Sequence, residues 1–80
     1  MEKIEVSARF IGEDMIIPLR FVWQGKTYRV DSIGRSWRAD DGYHVLVMDH
    51  RNQAYHLLYV AENSDWYLIR GSRVKTVPLA

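Results

Sequence analysis

Three histidines are the residues in this 80-residue chain best suited to acid–base or metal chemistry: His44, His50 and His56. A two-residue turn at Arg51-Asn52 would place His44 and His56 on opposite faces of a β-hairpin, where they could not share a metal ion. A three-residue loop would reverse this parity and bring them to one face. Because the chain has no cysteine and no His/Glu ligand spacing, we expect no metal site and no cofactor.

Nucleophilic and paired-carboxylate chemistry have little support. No serine stands in a Gly-x-Ser-x-Gly setting, and none has an evident base with a group to orient it. The carboxylates Asp40, Asp41, Glu62 and Asp65 occupy positions that turns already favour. A chain of 80 residues is also too small for the deep cleft that a paired-carboxylate hydrolase needs. We therefore expect a protein that is not an enzyme.

Arginines and aromatic residues raise the question of nucleic acid. Small barrels that bind single strands combine cations for the phosphates with aromatic rings on which bases stack. Here most Trp and Tyr residues fall where alternation predicts the interior, and the net charge is only +1. Binding of single-stranded nucleic acid is therefore our second function hypothesis. Its contact residues would be Arg20, Arg29, Arg35, Arg38, Arg70 and Arg73.

The segment 43–60 is apolar at both odd and even positions, so the predicted hairpin has two apolar faces. With the two-residue turn, Leu57 and Tyr59 share one face, and Val45 and Val47 share the other with Leu58. Either the sheet closes over the second face or a partner subunit covers it. Our first function hypothesis is a non-enzymatic protein-interaction module that binds a partner protein or forms a homodimer. The interface residues would be Val45, Val47, Leu57, Leu58 and Tyr59.

Period-two alternation dominates the elements that must position these groups, and no window shows a helical period. The pattern predicts a single all-β domain over residues 1–80, an antiparallel meander of six or seven strands curled into a barrel or roll. Pro18 indicates a local sheet edge, Gly34 a bulge, and Asp41-Gly42 a hairpin turn. The strands are expected near 3–10, 15–23, 26–33, 43–49, 54–60 and 66–70, with a short edge strand at 73–77.

The turn after Trp23 has two tight registers, with either Gln24-Gly25 or Gly25-Lys26 at its centre. Both keep the same aromatic residues on one face, because the shift between them is even. The first register sets Arg20 opposite Arg29, whereas the second sets Arg20 opposite Asp31. Because like charges in direct opposition are destabilising, we favour the second.

Composition bounds the class of protein. The hydrophobic fraction of 48% is that of a globular domain. No apolar run is long enough to cross a bilayer, and the first residues lack the apolar region of a signal peptide. We expect a soluble, cytoplasmic protein without a membrane partner.

Residues 21–30, Phe-Val-Trp-Gln-Gly-Lys-Thr-Tyr-Arg-Val, are followed by Trp37-Arg38. This stretch resembles a small bacterial family of unknown function, whose pattern is Phe-x-Trp-x-Gly-basic-x-aromatic-x-Val with a later Trp-Arg. A related domain lies at the C-terminus of the catalytically inactive Y-family polymerase homologues of the mutasome. Residues 65–69 look like that family's closing Gly-x-Trp-x-Leu strand, with Asp65 in place of its Gly-x start.

The resemblance covers about residues 18–70 and implies a β-rich accessory or binding module with a link to DNA repair. It carries over no catalytic residue. Because this chain lacks the polymerase portion, it also carries over no role in translesion synthesis.

Overall fold

The computed structural model describes residues 1–12 and 14–69, and in these residues the fold is all-β. Seven antiparallel strands form one sheet that curls into a half-barrel, as the alternation predicts. The prediction of one strand over residues 26–33 is wrong, because residues 30–31 form a link between two separate strands. The strands are β1 (Glu2–Ile11), β2 (Met15–Trp23), β3 (Lys26–Arg29), β4 (Ser32–Ala39), β5 (Gly42–Met48), β6 (Ala54–Val60) and β7 (Asp65–Leu68).

The sheet has the strand order β3-β2-β1-β7-β6-β5-β4, so its two end strands follow each other in sequence. The short link between them bonds to both sides of the sheet. The Val30 N–H donates to the Leu19 carbonyl at 3.0 Å, and the Asp31 N–H donates to the Met48 carbonyl at 2.7 Å. These two bonds attach the link to β2 on one side and to β5 on the other.

The inner face of the sheet forms the core, and aromatic rings fill much of it. The Phe21 ring stacks on Tyr28 with 5.1 Å between centroids, and it meets Tyr55 edge-on at 5.2 Å. In a domain this small, such rings supply a large share of the buried apolar area. The buried cluster consists of Ile4, Ile16, Phe21, Tyr43, Val45, Val47, Leu57, Trp66 and Leu68.

The β2–β3 hairpin corrects the predicted register. Gln24 and Gly25 form its turn with φ values of 52° and 77°, so Arg20 pairs with Arg29 and the preference for Asp31 opposite Arg20 is wrong. Two positive φ angles are the mark of a type I′ turn, whose twist matches that of the flanking strands. Both arginines are exposed, where water and salt screen their repulsion, so the turn geometry decides the register.

Irregularities occur where Pro and Gly predict them. Pro18 lies beyond the last residue of β2 that pairs with β3, next to a bulge at which Leu19 is skipped in the pairing with β1. A second bulge interrupts β4 between Ile33 and Ser36.

The predicted β4–β5 hairpin is present, with Asp40 and Asp41 rather than Asp41 and Gly42 at the centre of its turn. Gly42 has a φ of 142°, and a Cβ there would lie 2.4 Å from the Tyr59 carbonyl oxygen. This position therefore requires glycine.

Residues 49–53 join β5 to β6, and the Asp49 N–H donates to the Gln53 carbonyl at 3.1 Å, which leaves a three-residue loop at 50–52. The Asn52 N–H donates to the Asp49 carbonyl at 3.0 Å, and Asn52 has a φ of 63°. The buried Asp49 carboxylate accepts hydrogen bonds from the Arg51 and Gln53 N–H groups and from the Tyr55 hydroxyl. Of the two loop lengths that the sequence left open, the longer one forms.

The loop length sets which side chains share a face. Val45 now pairs with Leu57 and Val47 with Tyr55, so the faces derived from a two-residue turn are wrong. His44 pairs with Leu58 and Leu46 with His56, which places both histidines on the outer face. Some predictions fall outside the described residues. They are Arg70, at the end of the predicted strand 66–70, the edge strand at 73–77, and Arg73. Within those described, no helix is long and apolar enough to span a bilayer.

Candidate functional site

One end of the half-barrel opens into a cavity of about 390 Å³, which we call the mouth. The end of β1, the start of β2, the β4–β5 turn and the end of β6 meet there, because antiparallel strands bring these ends together. The described residues that line the mouth are Phe10, Gly12, Met15, Ile16, Arg38, Gly42, Tyr43, Tyr59 and Ala61.

The rim of the mouth is apolar and exposed to water. Phe10 is 55% exposed, Met15 50% and the neighbouring Ile11 45%, although the Phe10 ring meets Tyr59 edge-on at 5.4 Å. A cluster of large apolar side chains left half in water is typical of an interaction site.

Arg38 is the residue with a formal charge among the described residues that line the mouth. Its guanidinium lies over the Tyr43 ring, 5.2 Å from the centroid, in a cation–π contact. The mouth therefore combines aromatic walls with a cation.

The outer face of β4, β5 and β6 carries a second group, Trp37, Asp41, His44 and His56, which we call the histidine cluster. Trp37 and His44 are cross-strand neighbours, and their rings stack within 4° of parallel at 5.0 Å between centroids. The His56 ring lies 5.4 Å from that of Trp37. His44 is buried, with 8% of its surface exposed, whereas His56 is half-buried.

A chain of hydrogen bonds joins the polar members of the histidine cluster. Asp41 Oδ1 lies 2.7 Å from His44 Nε2, and His44 Nδ1 lies 2.8 Å from His56 Nε2. An ionised carboxylate only accepts, so His44 Nε2 carries the proton, and a neutral His44 then accepts at Nδ1 from His56 Nε2–H. The hydrogen bond to Asp41 thus decides which His44 nitrogen carries the proton, and so which ring donates in the bond between His44 and His56.

These contacts shift two pKa values. The hydrogen bond from His44 lowers the pKa of Asp41 below its ordinary value. Burial lowers the pKa of His56, and the neighbouring His44 lowers it further. The cluster thus favours an ionised Asp41 and a neutral His56.

The four predicted nucleic-acid contacts that the structure describes occupy different places on the sheet. Arg20 and Arg29 face each other on the outer side of β2 and β3. Arg35 on β4 has its guanidinium 5.0 Å from the centre of the Trp37 ring, and Arg38 lies in the mouth. Trp37 already stacks on His44, Trp66 is buried, and Trp23 is half-buried.

The predicted interface residues lie mostly inside a single chain. Val45, Val47 and Leu57 have 0% of their surface exposed and Leu58 1%, so the chain itself covers both faces of the hairpin at these positions. Tyr59 is half-buried and lines the mouth. Any contact with a partner through this set is therefore restricted to Tyr59.

Sequence reasoning missed the exposed rim and the Asp41–His44–His56 chain. Phe10 does lie on the predicted apolar face of β1, but it is the last residue but one of that strand and 55% of its surface is exposed. Consecutive apolar residues just before Gly12 were an available signal for the rim. For the histidine cluster, the available signal was the three-residue loop, which the sequence left as an alternative.

No protein-family model, no curated protein and no solved structure matches this chain. The resemblance to the small bacterial family stays a prediction, and the function has to be argued from the chain's own surfaces.

Proposed function

We propose that this chain is a protein-interaction module whose mouth binds an extended apolar segment of a partner protein. The observation that carries the proposal is the half-exposed rim of Phe10, Ile11 and Met15 beside an aromatic cavity. Full burial of one such side chain contributes about 1.5–3 kcal/mol. Covering the exposed half of each would therefore contribute roughly 1 kcal/mol.

Two features define the segment that would fit. The aromatic walls of the mouth, Phe10, Tyr43 and Tyr59, favour a large apolar side chain that enters the cavity. The adjacent β4 pairs with β5 alone among the described strands, and seven of its eight residues are exposed. An extended peptide can add to such an edge through main-chain hydrogen bonds. The partner segment is thus an extended strand that carries a large apolar residue.

A displayed library of random dodecapeptides tests this proposal. We expect the wild-type chain to enrich peptides that share a large apolar residue at one position of an extended segment. Phe10→Asp and Met15→Asp should each weaken binding of a selected peptide by about tenfold or more, since burying a charge in the mouth opposes the apolar contact. Leu19→Asp is the matched control, because Leu19 is 44% exposed but lies outside the mouth.

Circular dichroism should show all three variants folded. Failure to enrich such peptides, or equal weakening by Leu19→Asp, would overturn the proposal. Light scattering at micromolar concentration tests whether a second copy of this chain occupies the mouth. If the chain forms a homodimer that Phe10→Asp dissociates, the second copy replaces the partner segment in the proposal.

A second candidate is the binding of single-stranded nucleic acid, which one observation favours. Arg20 and Arg29 oppose each other without a carboxylate partner among the described residues, beside a cavity of about 470 Å³ that Thr27 also lines. A phosphate would relieve this like-charge pairing. Arg35 over Trp37 would supply a further cation.

A labelled oligonucleotide at ~50 mM salt tests the second candidate, since phosphate contacts are strongest at low salt. The double variant Arg20→Gln/Arg29→Gln should reduce the slope of log affinity against log salt by about 1.4, or 0.7 for each lost phosphate contact. Lys3→Gln, an exposed cation on β1, is the control. No binding at low salt would exclude this function.

A further inference from the structure

We propose that the half-barrel binds a phosphomonoester dianion, the group shared by small phosphate esters and the 5′-phosphate of a nucleic-acid strand. The site is a cavity of about 210 Å³ between the edge strand β3 and the β5–β6 loop, which we call the basic pocket. Because β5 runs from the mouth to this loop, the two cavities lie at opposite ends of the half-barrel, and binding here does not depend on the proposed function. The residues that line the basic pocket include Lys26, Thr27, Arg29, Asp49, His50 and Arg51.

Three cationic residues converge on the basic pocket. Lys26 and Arg29 line it from β3 and Arg51 lines it from the loop, and all three are exposed. None of them forms an ion pair with a carboxylate among the described residues. Arg and Lys are the usual protein ligands of phosphate groups, so cations that meet from two chain segments without a counter-ion favour such an anion.

Asp49 is the acidic residue among the described residues that line the pocket, and hydrogen bonds already occupy both of its oxygens. Oδ1 accepts from the Arg51 N–H at 2.8 Å and from the Gln53 N–H at 3.0 Å, and Oδ2 accepts from the Tyr55 hydroxyl at 3.1 Å. With 4% of its surface exposed, Asp49 turns little of its charge outward. Three cations against this one carboxylate leave a net charge of +2 with His50 neutral, which complements a phosphomonoester of charge about −2.

The free edge of β3 adds neutral donors to these cations. Residues of an antiparallel pair alternate between positions that bond to the neighbouring strand and positions that do not. The Val30 N–H donates to the Leu19 carbonyl at 3.0 Å, so the N–H groups of Thr27 and Arg29 point away from β2. In the described part of the chain β3 has no second neighbouring strand, which leaves both N–H groups available to an anion. The carbonyls of the same two residues share this edge, which is why the site also needs its cations.

The volume of the basic pocket limits what it can hold. Cavities that enclose drug-sized ligands measure roughly 300–1,000 Å³, so this smaller one fits the phosphate and a small part of its ester group. A phosphodiester carries one negative charge less and a second substituent. The pocket therefore favours a monoester over the diester linkage of a nucleic-acid backbone.

Nitrogen-15 NMR of the intact chain, titrated with methyl phosphate at about pH 8 and constant ionic strength, tests the proposal. We expect saturable shifts that are largest for the amides of Thr27 and Arg29. Dimethyl phosphate should bind about tenfold or more weakly. Arg51→Gln and Lys26→Gln should each weaken binding of methyl phosphate about tenfold or more, since each removes a charged hydrogen-bond donor.

Arg20→Gln is the matched control. Arg20 faces Arg29 across β2 and β3 but lines the neighbouring cavity rather than the basic pocket, so this variant should bind within about twofold of the wild type. Circular dichroism should show all three variants folded. The proposal is overturned if methyl phosphate gives no saturable shifts, if dimethyl phosphate binds as tightly, or if Arg20→Gln weakens binding as much as Arg51→Gln does.

Two further ligands distinguish the sources of the phosphomonoester. Tighter binding of ribose 5-phosphate than of a 5′-phosphorylated oligonucleotide would assign the pocket to a free small ester. The opposite order, with a 5′-hydroxyl oligonucleotide binding more weakly than its phosphorylated form, would assign it to the end of a nucleic-acid strand. If removal of the 5′-phosphate left oligonucleotide binding unchanged and ribose 5-phosphate did not bind, the proposal would be wrong for both sources.

Discussion

The two faces of the β5–β6 hairpin have the same alternating backbone but different chemistry. On the inner face Val45, Val47 and Leu57 are fully buried among other apolar side chains. On the outer face the buried and half-buried positions include His44 and His56, which are bonded to each other and to Asp41. The inner face thus stabilises the fold, while the outer face holds polar groups in a defined geometry. The three-residue loop fixes which residues belong to each face.

A change in the length of the loop at residues 50–52 should have the largest effect on stability, because it alters both faces at once. Deletion of Asn52 would leave a two-residue connection and, in register, would turn every side chain of one strand to the other face. We expect a loss of stability larger than any single core substitution gives, measured by urea unfolding. Asn52→Gly, which suits the φ of 63°, should stay within about 0.5 kcal/mol of the wild type. A folded deletion variant of wild-type stability would contradict the role of the loop.

On the inner face, Leu57→Ala should destabilise the fold by about 2–5 kcal/mol, because the fully buried site would be left with a cavity. Leu46→Ala, at a half-buried position on the outer face, is the control and should have a smaller effect. Equal midpoints of urea unfolding for the two variants would show that Leu57 on the inner face stabilises the fold no more than Leu46 on the outer face.

Asp49, which directly precedes the β5–β6 loop, should make the free energy of unfolding depend on pH. Burial opposes its ionisation, but the hydrogen bonds from Gln53, Arg51 and Tyr55 outweigh that effect and lower the pKa of Asp49. Because the folded pKa is the lower one, the stabilisation is complete above the unfolded pKa of about 3.9 and disappears as pH falls through the folded value. Asp49→Ala should cost about 1–3 kcal/mol at neutral pH.

Urea unfolding of wild type and Asp49→Ala between neutral and acid pH checks this linkage. The difference in stability between the two should shrink as the pH falls below about 4. A difference that is constant over that range would contradict it, and Asp40→Ala in the exposed β4–β5 turn should show no such trend.

At the mouth the expected effect on stability is the smallest. Phe10→Asp should change the free energy of unfolding by less than about 1 kcal/mol, because the side chain is already 55% exposed. The same variant should weaken binding of a selected peptide by about tenfold or more. A large drop in its thermal midpoint would place Phe10 with the core instead of the rim.

Local patterns predicted most of this fold because their physics is local. Strand alternation gave most of the strands and their antiparallel arrangement, but not the break at residues 30–31 that divides the predicted strand 26–33 between β3 and β4. Pro18 and Gly34 marked a local edge and a bulge. Side-chain pairing alone was misleading at Arg20, where turn twist outweighed a screened repulsion.

The site could not be predicted in the same way. One residue of loop length reverses the parity of a hairpin, and the sequence of residues 50–53 fits more than one loop. The contact of Asp41 with His44 and His56 therefore depended on a choice that composition and periodicity do not make. The exposure of Phe10 depended on where the curled sheet ends, which is a property of the whole fold.

The shared outer face of His44 and His56 is the central claim, and nitrogen-15 NMR of the histidine rings tests it most directly. At neutral to alkaline pH, we predict His44 protonated at Nε2, with a through-hydrogen-bond coupling between its Nδ1 and His56 Nε2. A His44 ring protonated at Nδ1, with no coupling to His56, would contradict the account.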